Sequence, residues 1–489
     1  MFKDEHRVTV WEALGQRDLQ AFRRLLTREH MVEAATRAGA TMGEGPLSLV
    51  TLTWLSISAA LHASKSFADI LTLTLKLLSD LPGWAQSRLR RQCQRPRQAG
   101  RRCRARHDPR GQSPGSLSEE AFVQGRRRLP LSFWPCLLSV LVEKFERLHP
   151  RHVAWKKFRL LMLDGSHVAL PQWKRLAAHF GTASNGKRTR KPQARLVMLA
   201  LAQARVPVRY ELTPWSEHEQ AVAHRLLKGL RCNDLVLMDR GFWSYGLFWQ
   251  IAHQQAFFAI RLRCNTPMKT VRKLGKGDRV VTWRPTKRSR RKGLCDWHDL
   301  PREIPLRVIH YQIPGFRPSA VVTNVLDPEV VSSDEWTRLA TRDEKGRVLD
   351  AGLYHRRWDI ETLFHELKVR QGLQGSLRGR SPETIAYEVA GHVLLYLLTR
   401  WLMVEAAVEH KLNPLRLSFT HAQRELFDLR SAMLASTPQR IATVLLPRLL
   451  DRIAQRQIPF RPGRHYPRIG DSYKLGKYRT RSRTRKIQA

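Results

Sequence analysis

Phe158-Arg159-Leu160-Leu161-Met162-Leu163-Asp164-Gly165-Ser166 is the stretch on which the fold turns. A short apolar run that ends in a carboxylate and two small residues predicts a buried strand giving way to a loop at Asp164. Downstream, 194–202 and 206–212 are two more strand candidates. Residues 217–230 carry helical spacing, and 234–238 form another apolar run, ending at Asp239. Strands, a helix and a further strand specify an α/β layer built on a sheet.

Upstream of this stretch the pattern is helical. Apolar residues recur at helical intervals in 11–26 and 47–78, and again in 131–148. Between them, 87–115 is rich in Arg, Gln, Pro and Gly and cannot bury a core. Ser116-Leu117-Ser118-Glu119 offers a capping box for a helix running to Arg128. We therefore expect an all-α N-terminal domain over 1–150 with a basic linker at about 87–115. From 257 to 325 the texture turns to strands separated by Gly, Pro and basic turns, giving an expected β-rich insertion over 257–349. Helical pattern returns in 334–339, 351–369, 382–411 and 417–454, and the last residues form a basic arm. The catalytic core is then expected from 151–256 and 350–410, with a helical C-terminal region over 411–489.

Composition narrows the partners. The 489 residues hold 86 Lys+Arg against 42 Asp+Glu, a formal net charge of +44. An excess spread along the whole chain draws polyanions, above all nucleic acid. The hydrophobic fraction of 42% supports real cores, which excludes a disordered basic tail. The six cysteines form no CxxC pair, and the Cys93/Cys103/His107 neighbourhood fits no zinc spacing, so they read as reduced cytosolic thiols. Residues 47–64 and 389–408 are apolar, but the first is interrupted by hydroxyls and the second carries Arg400 and Glu405. Both read as buried helices, and no membrane anchor is expected.

Asp164 and Asp239 each close a predicted buried strand, where a carboxylate is costly unless it is paired, as a metal ion would pair it. Taken singly, each is as well explained as an ordinary turn acid. Tyr354-His355-Arg356-Arg357-Trp358-Asp359-Ile360-Glu361-Thr362-Leu363-Phe364-His365-Glu366-Leu367-Lys368 carries more. At ~100° per residue, Tyr354, Arg357, Glu361 and Lys368 fall within about 60° of one another, beside an apolar sector. Asp359 and Glu366 point elsewhere, and His365 lies near the stripe. A ligand-bearing face and a solvated face with an Arg357–Glu361 ion pair both satisfy this geometry.

The spacing Tyr-x2-Arg-x3-Glu-x6-Lys, met by Tyr354, Arg357, Glu361 and Lys368, resembles the signature of the IS-four family of bacterial DDE transposases. Asp164-Gly165-Ser166 and Asp239-Arg240-Gly241-Phe242 are similar to that family's other two blocks, in the same order. The resemblance covers about 155–410. It implies a ribonuclease-H-like core, interrupted by a mainly β insertion, with Asp164, Asp239 and Glu361 as catalytic carboxylates holding two Mg²⁺ or Mn²⁺ ions. It also implies DNA contacts by Tyr354, Arg357, Lys368 and Arg240, and action on terminal inverted repeats and target DNA. A homodimer would pair the two ends, in the bacterial cytoplasm at the nucleoid. Excision in such enzymes often proceeds through a hairpin, for which an aromatic platform is useful. Trp283 is a candidate, with Trp297 as its competitor and a core role as the alternative. His167 and His218 read as ordinary histidines, and His365 as a neighbour of the site. Two rival expectations remain: a metal-dependent nuclease on the same fold, and an inactive DNA-binding descendant.

Overall fold

The computed structural model describes residues 17–43, 48–66, 69–70, 119–127, 129–182, 191–263, 266–285, 300–313, 318–342, 348–349, 351–459, 468–470 and 478–480. The Arg-rich stretch 87–115, the capping box at 116–118, Trp297 and most of the C-terminal arm lie outside these residues. In chain order the main strands are β1 (Phe158–Ala169), β2 (Gln193–Leu201), β3 (Val206–Pro214), β4 (Asp234–Met238), β5 (Phe257–Arg261), β6 (Lys269–Gly275), β7 (Asp278–Trp283), β8 (Ile304–Tyr311) and β9 (Ser319–Thr323). The helices used below are α1 (Arg28–Ala38), α2 (Leu49–Leu61), α3 (Phe133–Leu148), α4 (Glu219–Leu226), α5 (Tyr245–His253), α6 (Asp359–His365), α7 (Pro382–Glu409), α8 (Phe419–Leu434) and α9 (Leu446–Gln455). The protein is thus a mixed α/β chain with a large sheet and many helices.

The chain divides into two compact units. One comprises Met1–Val153, Gly165–Glu217 and Thr362–Gln457; the other comprises Ala154–Asp164, His218–Glu361 and Ile458–Ala489. β1 changes unit directly after Asp164.

In the second unit, strands follow the order β1-β4-β5-β9-β8-β7-β6. β1, β4 and β5 are parallel, and every later pairing is antiparallel. α5 makes the crossover between β4 and β5, the connection that parallel neighbours require. All five residues of β4 are buried, as a strand with both faces covered demands. The register of β1 on β4 begins at Arg159 opposite Asp234, where the guanidinium meets the buried carboxylate at 3.1 Å. The strands between 257 and 323 continue the sheet from β4 through β5, and Thr341–Arg342 pairs with Val348–Leu349 in a two-stranded sheet of its own. One expectation needs correcting here: β1 does not stop at Asp164 but continues to Ala169, because Gly165, Ser166 and His167 keep extended backbone in place of the expected loop.

The first unit is mainly helical, with β2 and β3 as an antiparallel hairpin. α2 is buried on all sides, and so is most of α7. Two helices without a polar face bury one another, so α2 packs on α7 although more than 300 residues separate them in the chain. Their backbones approach so closely that a Cβ at Gly391 would lie 2.5 Å from the Ser56 carbonyl oxygen. Two hydroxyls of α2 are satisfied within the helix: Thr53 donates to the Leu49 carbonyl and Ser56 to that of Leu52, both at 2.8 Å. Tyr387 donates to the Leu129 carbonyl at 2.6 Å and the Trp401 indole to His149 at 3.1 Å. The N-terminal helices therefore share a core with α7. By length and composition α7 is apolar enough to cross a membrane, but 94% of its most apolar window is buried inside this unit.

Candidate active site

Parallel register brings the first two carboxylates together. Leu163 pairs with Met238 as the last partners of β1 and β4, so Asp164 and Asp239 follow side by side at the same end of adjacent strands. Strand neighbours lie ~4.8 Å apart in the pairing direction. Asp164 is half-buried, and the Asp239 side chain keeps 48% of its exposure.

The third carboxylate reaches this end through Arg357. Its side chain is 5% exposed and spans two acids, with Nε 4.0 Å from Asp239 Oδ1 and Nη2 3.5 Å from Glu361 Oε1. Both contacts are longer than the ~2.7–2.9 Å of a tight charge-assisted pair. Glu361 is 43% exposed on its side chain. Trp358 lies beneath the guanidinium, its ring centroid 4.2 Å from Arg357 Cζ. Arg357 is therefore fixed by burial while the acids it joins remain open to solvent.

Tyr354 is buried and donates its hydroxyl to the Met238 carbonyl at 3.3 Å, one residue before Asp239. Burial pushes its phenol well above the ordinary value, keeping it a neutral donor. The expected single helix over 351–369 is in fact three geometries: a 3-10 turn at Leu353–Trp358, α6, and a π turn at Glu366–Arg370. The four-residue stripe is consequently not one α-helical face. Its first three members gather in the second unit, whereas Lys368, on the π turn, belongs to the first. There its ammonium donates to Ser166 Oγ at 3.0 Å and to the His167 carbonyl at 2.5 Å, and burial lowers its pKa. π turns recur at functional sites because the extra residue redirects side chains.

The remaining candidates are placed as follows. Arg240 is exposed, directly after Asp239. His365 is exposed on α6, His218 precedes α4, and His167 lies near Trp215 with ring centroids 6.3 Å apart. Trp283 is 5% exposed and sits among Trp243, Tyr245 and Phe248 at 5.1–5.5 Å. Its surroundings are those of a core residue, with tilted and edge-on contacts to other aromatics. Two buried ionic groups were not anticipated. Arg307 grips Asp278, and Glu366 meets Arg205 at 3.3 Å while accepting the Tyr396 hydroxyl at 2.6 Å.

Among the described residues, no three His, Cys, Asp or Glu side chains converge closely enough to hold a metal ion. The donor set nonetheless fits a hard divalent cation chemically, since it consists of carboxylate oxygens. Asp239 and Glu361 are not locked in short ion pairs with Arg357, which leaves lone pairs available.

Residues 155–398 match the family described as the transposase DDE domain. The transposase InsG of insertion sequence element IS4 from Escherichia coli strain K12 is 26% identical over 363 residues, covering 72% of this chain and 76% of InsG. Among solved structures, the piggyBac transposase synaptic complex with hairpin DNA aligns with a TM-score of 0.36 and 10% identity, over 94% of this chain and 88% of that one.

Proposed function

Because this chain belongs to the DDE transposases of the IS4 type, we propose that it cuts DNA at the ends of an insertion element and joins the freed 3′ ends to target DNA. The observation that carries this reading is the meeting of Asp164 and Asp239 at one sheet end, with Arg357 spanning Asp239 and Glu361. Asp164, Asp239 and Glu361 are the catalytic carboxylates, on a core of the ribonuclease-H-like kind.

Both steps are in-line exchanges at phosphorus. A water oxygen, and later a 3′-hydroxyl, forms the new P–O bond as the opposite P–O3′ bond breaks, and the leaving oxygen takes up a proton. The three carboxylates would hold two Mg²⁺ or Mn²⁺ ions, which when bound activate the attacking oxygen and stabilise the leaving one. The chain's own part is orientation. Arg357 keeps Asp239 and Glu361 in one neighbourhood, and its planar fork also suits a phosphate. Tyr354 braces the backbone that presents Asp239. Arg240 and Lys368 supply positive charge for DNA phosphates.

The N-terminal helices and the basic stretches bind the terminal inverted repeats, and a homodimer pairs the two ends. Excision proceeds by cut-and-paste through a hairpin, and the protein works in the bacterial cytoplasm at the nucleoid. Strand transfer with pre-cleaved ends tests the central reading. Joined product is expected with Mg²⁺ and not with Glu361→Gln. Cutting without joining would replace the transposase reading with a nuclease.

A further inference from the structure

A cavity of about 960 Å³ opens within the first unit. Three separate stretches line it: the end of the helix at Glu119–Arg126, the segment Gln172–Arg175 that enters the helix Lys174–Phe180 after β1, and Arg378–Glu388 at the start of α7. Its charge is one-sided. Arg126, Arg127, Lys174, Arg175, Arg378 and Arg380 face Glu388 alone among acids in the lining. Of these cations, Arg127, Lys174, Arg175 and Arg380 are exposed, whereas Arg126 is buried over the Phe122 ring.

Glu388 is committed to the architecture. One of its oxygens accepts the Arg378 backbone N–H at 2.7 Å, and the Arg378 side chain donates to the His62 and Ala63 carbonyls at 3.1 and 2.7 Å. The backbone between the two arginines is held against the first turn of α7. A Cβ at Gly379 would fall 2.7 Å from Thr384 Oγ1 and 2.9 Å from the Ile385 nitrogen. Arg378 and Arg380 thus stand on a fixed frame.

Trp173 is the second distinctive feature. It is 42% exposed, and the Arg380 guanidinium lies over its ring at 4.7 Å from the centroid. A large aromatic side chain left open costs hydrophobic burial, and here it is braced by a cation and surrounded by more of them. An open indole bordered by exposed Arg and Lys is the combination that binds single-stranded nucleic acid, with a base on the ring and phosphates on the cations. Trp283, the candidate platform offered by the sequence, is buried. Trp173, flanked by Lys174 and Arg175, has the accessibility that Trp283 lacks.

We infer that this cavity is a binding site for unpaired DNA, in which a base stacks on Trp173 and the adjoining phosphates lie on Arg127, Lys174 and Arg175. The inference rests on DNA being the partner, as proposed above, but needs neither the carboxylates nor a metal. It can therefore be tested in EDTA, where failure of the cutting reaction has no influence.

The experiment uses the full chain and a labelled 12-nucleotide single strand carrying 5-iododeoxyuridine. Photocrosslinking followed by peptide mass mapping is expected to place an adduct on Trp173. Trp173→Ala should remove that adduct and weaken binding by about 5- to 150-fold, the range for loss of one base–aromatic stack. Trp173→Phe should restore most of the affinity. Arg127→Gln with Arg175→Gln should reduce the slope of log affinity against log salt by about 1.4, at ~0.7 per phosphate contact. Melting temperatures serve as the control for folding. Adducts only elsewhere, with Trp173→Ala binding within twofold of the parent, would overturn the site. Loss of binding in the arginine variants alone, with millimolar inorganic phosphate competing equally well against the parent and Trp173→Ala, would reduce it to a simple anion site and refute base stacking.

Discussion

Two buried arginines in the same unit, Arg307 and Arg357, meet carboxylates in opposite ways. Arg307 is wholly buried, and Asp278 accepts from both its Nε at 2.9 Å and its Nη2 at 2.5 Å. The Val331 carbonyl takes a further bond at 2.6 Å. The Asp278 side chain is only 8% exposed, so the pair is a closed unit. Arg357 is almost as deeply buried, but its partners Asp239 and Glu361 are nearly half exposed and stand at 4.0 and 3.5 Å. A pair built for the fold satisfies its own hydrogen bonds. A cation that holds two acids loosely leaves their oxygens to serve something else.

That contrast can be broken at either end. The largest effect is expected from Glu361→Gln or Asp239→Asn, each lowering strand joining by at least ~10³-fold, or about 4 kcal/mol in the barrier. Thermal melting should be nearly unchanged, because each acid is half exposed; a coincident collapse in stability would make these acids structural like Asp278. Asp278→Asn should do the reverse. Leaving Arg307 buried without its counter-charge costs about 3–5 kcal/mol, to be read by urea denaturation, while activity per folded molecule stays close to the parent. Arg357→Lys keeps the charge but loses the fork. Joining should fall ~10- to 100-fold, at about 1.4 kcal/mol per tenfold step. A variant as active as the parent would show that only charge is needed there. Tyr354→Phe removes one buried hydrogen bond to the Met238 carbonyl, with an expected loss of about 1 kcal/mol in stability and a modest fall in rate.

The same pairing of cases explains what could be read from residues alone. β4 was legible because all five of its positions are apolar or tied to a partner, and a run with both faces buried has no competing pattern. β6 was not, since Lys269, Arg272 and Lys273 face solvent on an edge strand and leave no alternation to detect. Glu361 was singled out by the resemblance carried by its spacing to Tyr354, Arg357 and Lys368, since the Arg357 spacing alone suited an ordinary ion pair equally well. The position of Lys368 was not predictable by angle, because the π turn adds backbone that a 100° wheel does not count. Trp283 and Trp173 illustrate the same limit for aromatics. Both lie beside cations in the sequence, and only tertiary packing decides which ring is enclosed. The paired helices α2 and α7 likewise look like two separate apolar runs until they meet at Gly391.

The Arg159–Asp234 pair has a consequence for how this protein can change over generations. From that pair, five steps along each of two parallel strands lead to Asp164 and Asp239. Apolar residues in between can be exchanged for others of similar bulk with little effect on where the acids emerge. Removing one residue from either strand would turn every later side chain to the opposite face, carrying the acid away from its neighbour. The lineage is free to drift in spelling across these eight positions but is held rigidly to their number.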